Sequence, residues 1–386
     1  MNFLVIPQES YQYIQTLGHT YPQYKDLIDL IDMELNQRLW HQLSQHLLQL
    51  CCKPELQSNQ ELITLYNQLI VHIQTAFNPM KFLSIIQKIL TNYTGRYKEA
   101  LLFIENIEKN MKFGGEENLY ISILKGYCFL ELGQIYDLED ILKKVKLDFE
   151  QRSEIDPVIY SNYYRLSTYF YEKKHDYDSY YYSALQYLAY EKDISEGEKI
   201  ELCFNMCVST LIGEKMFNFA ELIEKDFFKL MKGSKYEWIY NLIFSFNSAN
   251  VQQFEEILKK YQNEFEAVPI LKNNKDFLII KIRIAAFLEL IFQKNKGERI
   301  ISFTEIRDKC GVQDLLIEFI IMKALSFGLI KGYIDQVEQC VHVTWVMPKY
   351  LDKEKLNLLL QRFDSWIGKS KDMLSQFQEL SAPLIV

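Results

Sequence analysis

The chain has 386 residues, 48% of them hydrophobic, with 14 Gly and 8 Pro. Sparse punctuation and an apolar share sufficient for a substantial core exclude a disordered protein and favour long helices joined by short turns. A net charge of -8, from 43 Lys and Arg against 51 Asp and Glu, supplies no global positive field to attract nucleic acid or an anionic membrane. The seven Cys, odd in number and irregularly spaced, read as reduced thiols and not as a disulfide framework.

Residues 1–7 lack the basic and apolar regions of a secretory signal. From Ser10 to Asn110 the sequence predicts consecutive helices, broken near Tyr21-Pro22, Lys53-Pro54, Asn78-Pro79 and Thr94-Gly95. In the segment Glu61 to Phe77, Leu62, Leu65, Leu69, Ile73 and Phe77 recur at steps of three or four and form one apolar stripe. A helix with one such stripe must pack on another.

After Gly114-Gly115 the helices come in pairs, the first members starting near Asn118, Pro157, Gly197 and Tyr236, at spacings of 39, 40 and 39 residues. That period indicates a right-handed helical-repeat solenoid of the tetratricopeptide or HEAT type. A tyrosine-rich stretch (Tyr160, Tyr163, Tyr164, Tyr169, Tyr171, then Tyr180 to Tyr182) raises base stacking as a function. Its few cations, Arg165, Lys173 and Lys174, are offset by Glu172, Asp176 and Asp178, so inter-helix packing is the expected role. The apolar run Phe277 to Phe292 contains Lys281, Arg283 and Glu289, which mark a buried amphipathic helix and not a membrane span.

From Arg299 the pattern changes. A short strand, Ile300 to Ser302, precedes a helix from Phe303 to Cys310; Gly311 leads to a second helix, about Gln313 to Phe327, stopped by Gly328. Two strands follow, Leu329 to Ile334 and Cys340 to Val346, joined by the turn Asp335 to Glu338. In the last strand Val341, Val343 and Trp345 alternate with His342 and Thr344, the pattern of one buried face. This order reads as a winged helix. Its outer strand offers an edge for β-augmentation, with Cys340, His342 and Thr344 as the candidate partner-binding residues.

The segment Asp352 to Leu380 predicts one long helix with three apolar columns: Leu359, Trp366, Met373 and Leu380; Leu360, Ile367 and Leu374; and Leu356, Phe363 and Phe377, interrupted by Ser370. A two-stranded coil needs only a narrow seam, so three columns indicate burial among several helices, and these residues are the candidate bundle contacts.

No catalytic constellation emerges. His19, His41, His46, His72, His175 and His342 fall in no His-Glu-x-x-His or His-x-His pattern, and no metal or cofactor is expected. Cys203 and Cys207 share a helix face without further ligands nearby and read as core thiols. Gly368-Lys369-Ser370 resembles the end of a phosphate loop, but Phe363 stands at the first glycine position and no strand precedes it. The second winged-helix helix carries Asp314, Glu318 and Lys323 amid apolar residues, whereas a reading helix needs Arg, Lys, Asn or Gln facing base edges.

The runs Ile301-Ser302-Phe303-Thr304-Glu305-Ile306, Met322-Lys323-Ala324-Leu325, Gly328-Leu329-Ile330-Lys331-Gly332 and Val341-His342-Val343-Thr344-Trp345-Val346 closely resemble the PCI domains of proteasome regulatory-lid subunits. The resemblance implies a mostly α chain: helical repeats over 1–176, a PCI domain over 177–347 whose winged helix spans about 299–347, and a bundle helix over 348–386. It further implies a non-catalytic scaffold of cytoplasm and nucleus. Its partners would be other PCI lid subunits and the MPN deubiquitinase pair, with neither nucleic acid nor membrane among them. PCI scaffolds of the COP9 signalosome and of translation initiation factor 3 share the architecture, and a nucleic-acid-binding winged helix is the rival of a different class.

Overall fold

The computed structural model describes residues 7–53, 55–56, 61–111, 113–152, 154–191, 194–294, 299–348 and 353–381. These divide into two compact units, residues 1–174 with 183–192 and residues 175–182 with 193–386.

Every regular element among the first unit's described residues is a helix. Helices Gln8–Thr20, Lys25–Gln37 and Trp40–Cys51 are followed by Glu61–Leu65, which passes through a π-helical turn, Tyr66–Ile70, into Val71–Ile73. The stripe Leu62, Leu65, Leu69, Ile73 and Phe77 is buried as its spacing predicts. Pro79–Leu90 begins at its proline, and Asn78 caps it by accepting from the Met80 N–H. Pro54, at a predicted break, lies outside the described residues.

Helices Gly115–Leu132, Ile135–Gln151 and Pro157–Lys174 continue the array. Gly133, with φ 74°, closes the first of these in the left-handed conformation that glycine adopts without strain. At Gly126 the helices approach closely, because a Cβ there would overlap the Leu166 side chain. A buried polar chain crosses the apolar core: Tyr120 Oη donates to Gln87 Oε1, Gln87 Nε2 donates to Asn162 Oδ1, and Asn162 Nδ2 donates to the Val158 carbonyl. Fully partnered, this chain fixes the register of helices that apolar packing alone leaves free to slide.

In the second unit, Glu196–Ile212 opens with a capping box of Ser195 and Glu198. Its pair partner is split into Phe219–Glu224 and Asp226–Lys229; Glu237–Asn247 and Val251–Lys260 form the next pair. Helix starts at 157, 196 and 237 thus follow the predicted period. Cys203 and Cys207 are core thiols, both in contact with the Met231 sulfur.

Helix Lys275–Gln293 packs against Glu196–Ile212 and Glu237–Asn247 as well as against both winged-helix helices. It carries Lys281 into the core at 1% exposure. The ammonium donates to the carbonyls of Thr210 (2.7 Å) and Gly213 (2.5 Å) at the end of Glu196–Ile212, and lies over the rings of Phe217, Phe219 and Phe277. Two orphan carbonyls of a helix end thereby gain a donor, and the cation gains three aromatic faces.

The winged helix comprises β1 (Ile300–Ser302), helices Phe303–Cys310 and Asp314–Ser326, β2 (Ile330–Asp335) and β3 (Cys340–Val346). Ser302 and Glu305 form a capping box, and Gly311, at φ 61°, turns the chain between the helices. The strands form one antiparallel sheet in the order β1-β3-β2. A bulge opposite Lys331/Gly332 interrupts the β2–β3 ladder. Beyond it the alternation slips: Val341 and Val343 are buried, but Trp345 is 39% exposed, so the predicted buried face ends at Val343.

Burial pushes the Lys281 amine down to about 7, opposed by the carboxylates of Asp178 and Glu214. Between that value and the unfolded value of about 10.4 the unfolded chain binds more protons, so this group makes stability rise with pH. Lys281→Met strands the two carbonyls and is expected to destabilise the chain by about 2 kcal/mol. In urea titrations at about pH 7 and about pH 9, the advantage of the parent chain over the variant should be larger at the higher pH.

Candidate partner-binding surfaces

The C-terminal helix, Lys353–Ser381, presents its apolar columns to solvent. Leu356, Leu359, Leu360, Phe363, Ile367, Met373 and Leu374 are exposed, with Trp366 at 66% and Phe377 at 71%. The Leu380 side chain lies outside the described residues. So large a contiguous apolar surface is rare on a chain that works alone.

The winged-helix sheet departs from the expected edge. β3 is the middle strand: Cys340 pairs with Ser302 on one side and Asp335 on the other, and His342 with Ile300 and Tyr333. Neither residue lies on a free edge, because the three-residue β1 pairs along β3. Thr344 sits beyond the β1 register at the bulge, where its hydroxyl donates to the Lys331 carbonyl. The outer strands are β1 and β2.

A further apolar surface lies on helix Asp314–Ser326. Ile317, Ile320, Ile321 and Ala324 face the core, while Leu315 (91% exposed), Leu316, Phe319 and Met322 face outward. The composition showed this helix to be apolar, but a helix apolar on most faces does not reveal which stripe is inside. Its outward face carries no base-reading array; Lys323 lies over the rings of Phe319 and Phe327.

The tyrosines serve packing. Tyr160, Tyr164 and Tyr190 stack in near-parallel pairs 5.0–6.5 Å apart, and Phe149 meets Tyr160 and Tyr163. Thiol chemistry is disfavoured at the buried positions: burial raises the Cys51 and Cys310 thiols to about 12, and Cys207 well above its usual value, the opposite of an activated nucleophile.

Residues 28–243 match the family model described as PSD13 N-terminal repeats, and residues 258–345 match the PCI domain. The first match alone spans more than half of the sequence. The chain belongs to the family of 26S proteasome non-ATPase regulatory subunit 13. The member from Dictyostelium discoideum is 29% identical over 381 residues, covering 97% of this chain and 98% of that protein. Homolog A of Arabidopsis thaliana is 30% identical over 371 residues, covering 93% and 94%. The 26S proteasome regulatory subunit RPN9 of Saccharomyces cerevisiae is 23% identical over 364 residues, covering 89% and 90%. Among the described residues, no helix is long and apolar enough to cross a membrane.

Because the C-terminal columns touch solvent, replacing Trp366 or Phe377 by Ala is expected to change the unfolding free energy of the isolated chain by no more than about 0.5 kcal/mol. Thermal and urea unfolding of the two variants measures this; a larger loss would mean that the columns pack within the chain itself.

Proposed function

We propose that this chain is a non-catalytic structural subunit of the proteasome regulatory-particle lid, supporting lid assembly and ubiquitin-dependent protein degradation. The observation that carries the reading is the long C-terminal helix with its apolar columns exposed, in a chain of the subunit 13 family. The working division is helical repeats over 1–176, the PCI domain over 177–347 and the bundle helix over 348–386. The partners proposed are other PCI lid subunits and the MPN deubiquitinase pair, in cytoplasm and nucleus.

The mechanism is geometric. Repeats supply reach, the winged-helix module selects a PCI neighbour, and the C-terminal helix inserts Leu356, Leu359, Leu360, Phe363, Trp366, Ile367, Met373, Leu374, Phe377 and Leu380 into a shared helical bundle. Burying such side chains releases about 25 cal/mol per Å² of apolar surface, the drive that holds the helix in place. In the winged helix, Leu315, Phe319 and Met322 supply the apolar outer face.

Truncation after Pro348 should leave a folded chain that enters the lid poorly; normal incorporation, measured by affinity purification and mass spectrometry, would refute the bundle role. Trp366→Ala tests the same contact more finely, because a well-buried aromatic anchor contributes about 2 kcal/mol or more at an interface. Recovery of signalosome or initiation-factor subunits with the tagged chain would keep the architecture and change the complex.

A further inference from the structure

We propose that Glu338, Cys340 and His342 form a divalent-metal site suited to Zn²⁺ on the winged-helix hairpin. One ligand atom from each of the three lies within 4.8 Å of the other two. Positions 340 and 342 alternate with Val341 and Val343, so the thiol and the imidazole share the sheet face opposite those valines, where Cys340 is itself buried and His342 half-buried. Glu338 comes from the turn, which is shaped by Asp335 Oδ1 accepting from the N–H groups of Val337 and Glu338.

The spacing is informative. Cys340 Sγ and His342 Nε2 are 3.5 Å apart. With zinc–sulfur and zinc–nitrogen bonds of about 2.3 and 2.0–2.1 Å, a tetrahedral angle separates the two donors by about 3.5 Å. The pair already stands on one edge of the coordination polyhedron. Glu338 is exposed, with a carboxylate oxygen within 4.8 Å of the other two donors, and would take the third corner, leaving the fourth to water.

The donor set decides the class of ion. One sulfur, one imidazole nitrogen and one carboxylate oxygen suit a borderline-soft cation, whereas Ca²⁺ and Mg²⁺ take oxygen ligands. The Tyr333 ring stacks on His342 at 4.6 Å with 10° between planes and so holds the imidazole in orientation. Binding breaks the Cys340 S–H bond, forms the sulfur–metal bond and releases the proton to solvent; the carboxylate and neutral imidazole enter unchanged. A hydrogen-bonded thiol and imidazole without metal is the competing account. The assignment does not depend on the lid reading.

The test is titration of the purified full chain with Zn²⁺ against a chromophoric chelator, alongside Co²⁺ absorption spectra. One bound equivalent is expected, with a thiolate-to-cobalt charge-transfer band. Cys340→Ser should abolish the band, and Cys340→Ser and His342→Ala should each weaken binding by about tenfold or more. Glu338→Gln should weaken binding while keeping the band, and Cys52→Ser, which alters an exposed thiol elsewhere, should change nothing. Absence of the band from the parent chain, or parental affinity retained in Cys340→Ser and in His342→Ala, would overturn the site and leave only the hydrogen bond. The parent-chain spectrum decides the matter even if a variant fails to fold.

Discussion

A helix with one apolar stripe cannot hide it alone, and this constraint organises the whole chain. In the first unit the demand is met by neighbours in sequence, and a continuous core runs from Ile14 to Phe170. Apolar stripes slide easily on one another, so register falls to particular groups: the Tyr120–Gln87–Asn162 hydrogen-bond chain and the close approach at Gly126. The C-terminal helix is where the constraint goes unmet. Its columns match those of a core helix but stay exposed among the described residues, the imbalance on which the proposed scaffold role rests.

Lys281 shows how the repeat helices and the winged helix of the second unit become one core. The helix that carries it packs on both, and Ile284, Phe287 and Ile291 along it join Ile306, Ile317 and Val341 in a single apolar cluster. A buried amine is costly without partners. Two carbonyls at a helix end and three aromatic rings supply them, so the polar group tells the helix exactly one place to sit, where apolar side chains would tolerate several.

Much was legible in the residue pattern because the signals were local. The paired helices starting near 157, 197 and 236, the buried stripe from Leu62 to Phe77, both winged-helix helices and the reach of the final helix all depend on spacings within one element. The errors share a cause as well. The pattern offers β3 as the outer strand because nothing within it shows that β1, about forty positions away in sequence, pairs along it. Trp345 was assigned inward because a bulge resets the alternation, and a bulge depends on the opposing strand. The alternate spacing Glu338, Cys340, His342 was present in the sequence, but convergence of its ligand atoms depends on the hairpin.

The sequence by itself determined the elements, their pairing period and the surplus of apolar surface on the last helix, since side-chain periodicity is a property of a single helix or strand. Tertiary structure alone decided the strand order, which stripe of helix Asp314–Ser326 faces inward, and that Lys281 is core while Leu315 is surface. These choices are set by what lies across the space from each residue, and a single strand or helix carries no record of its neighbour.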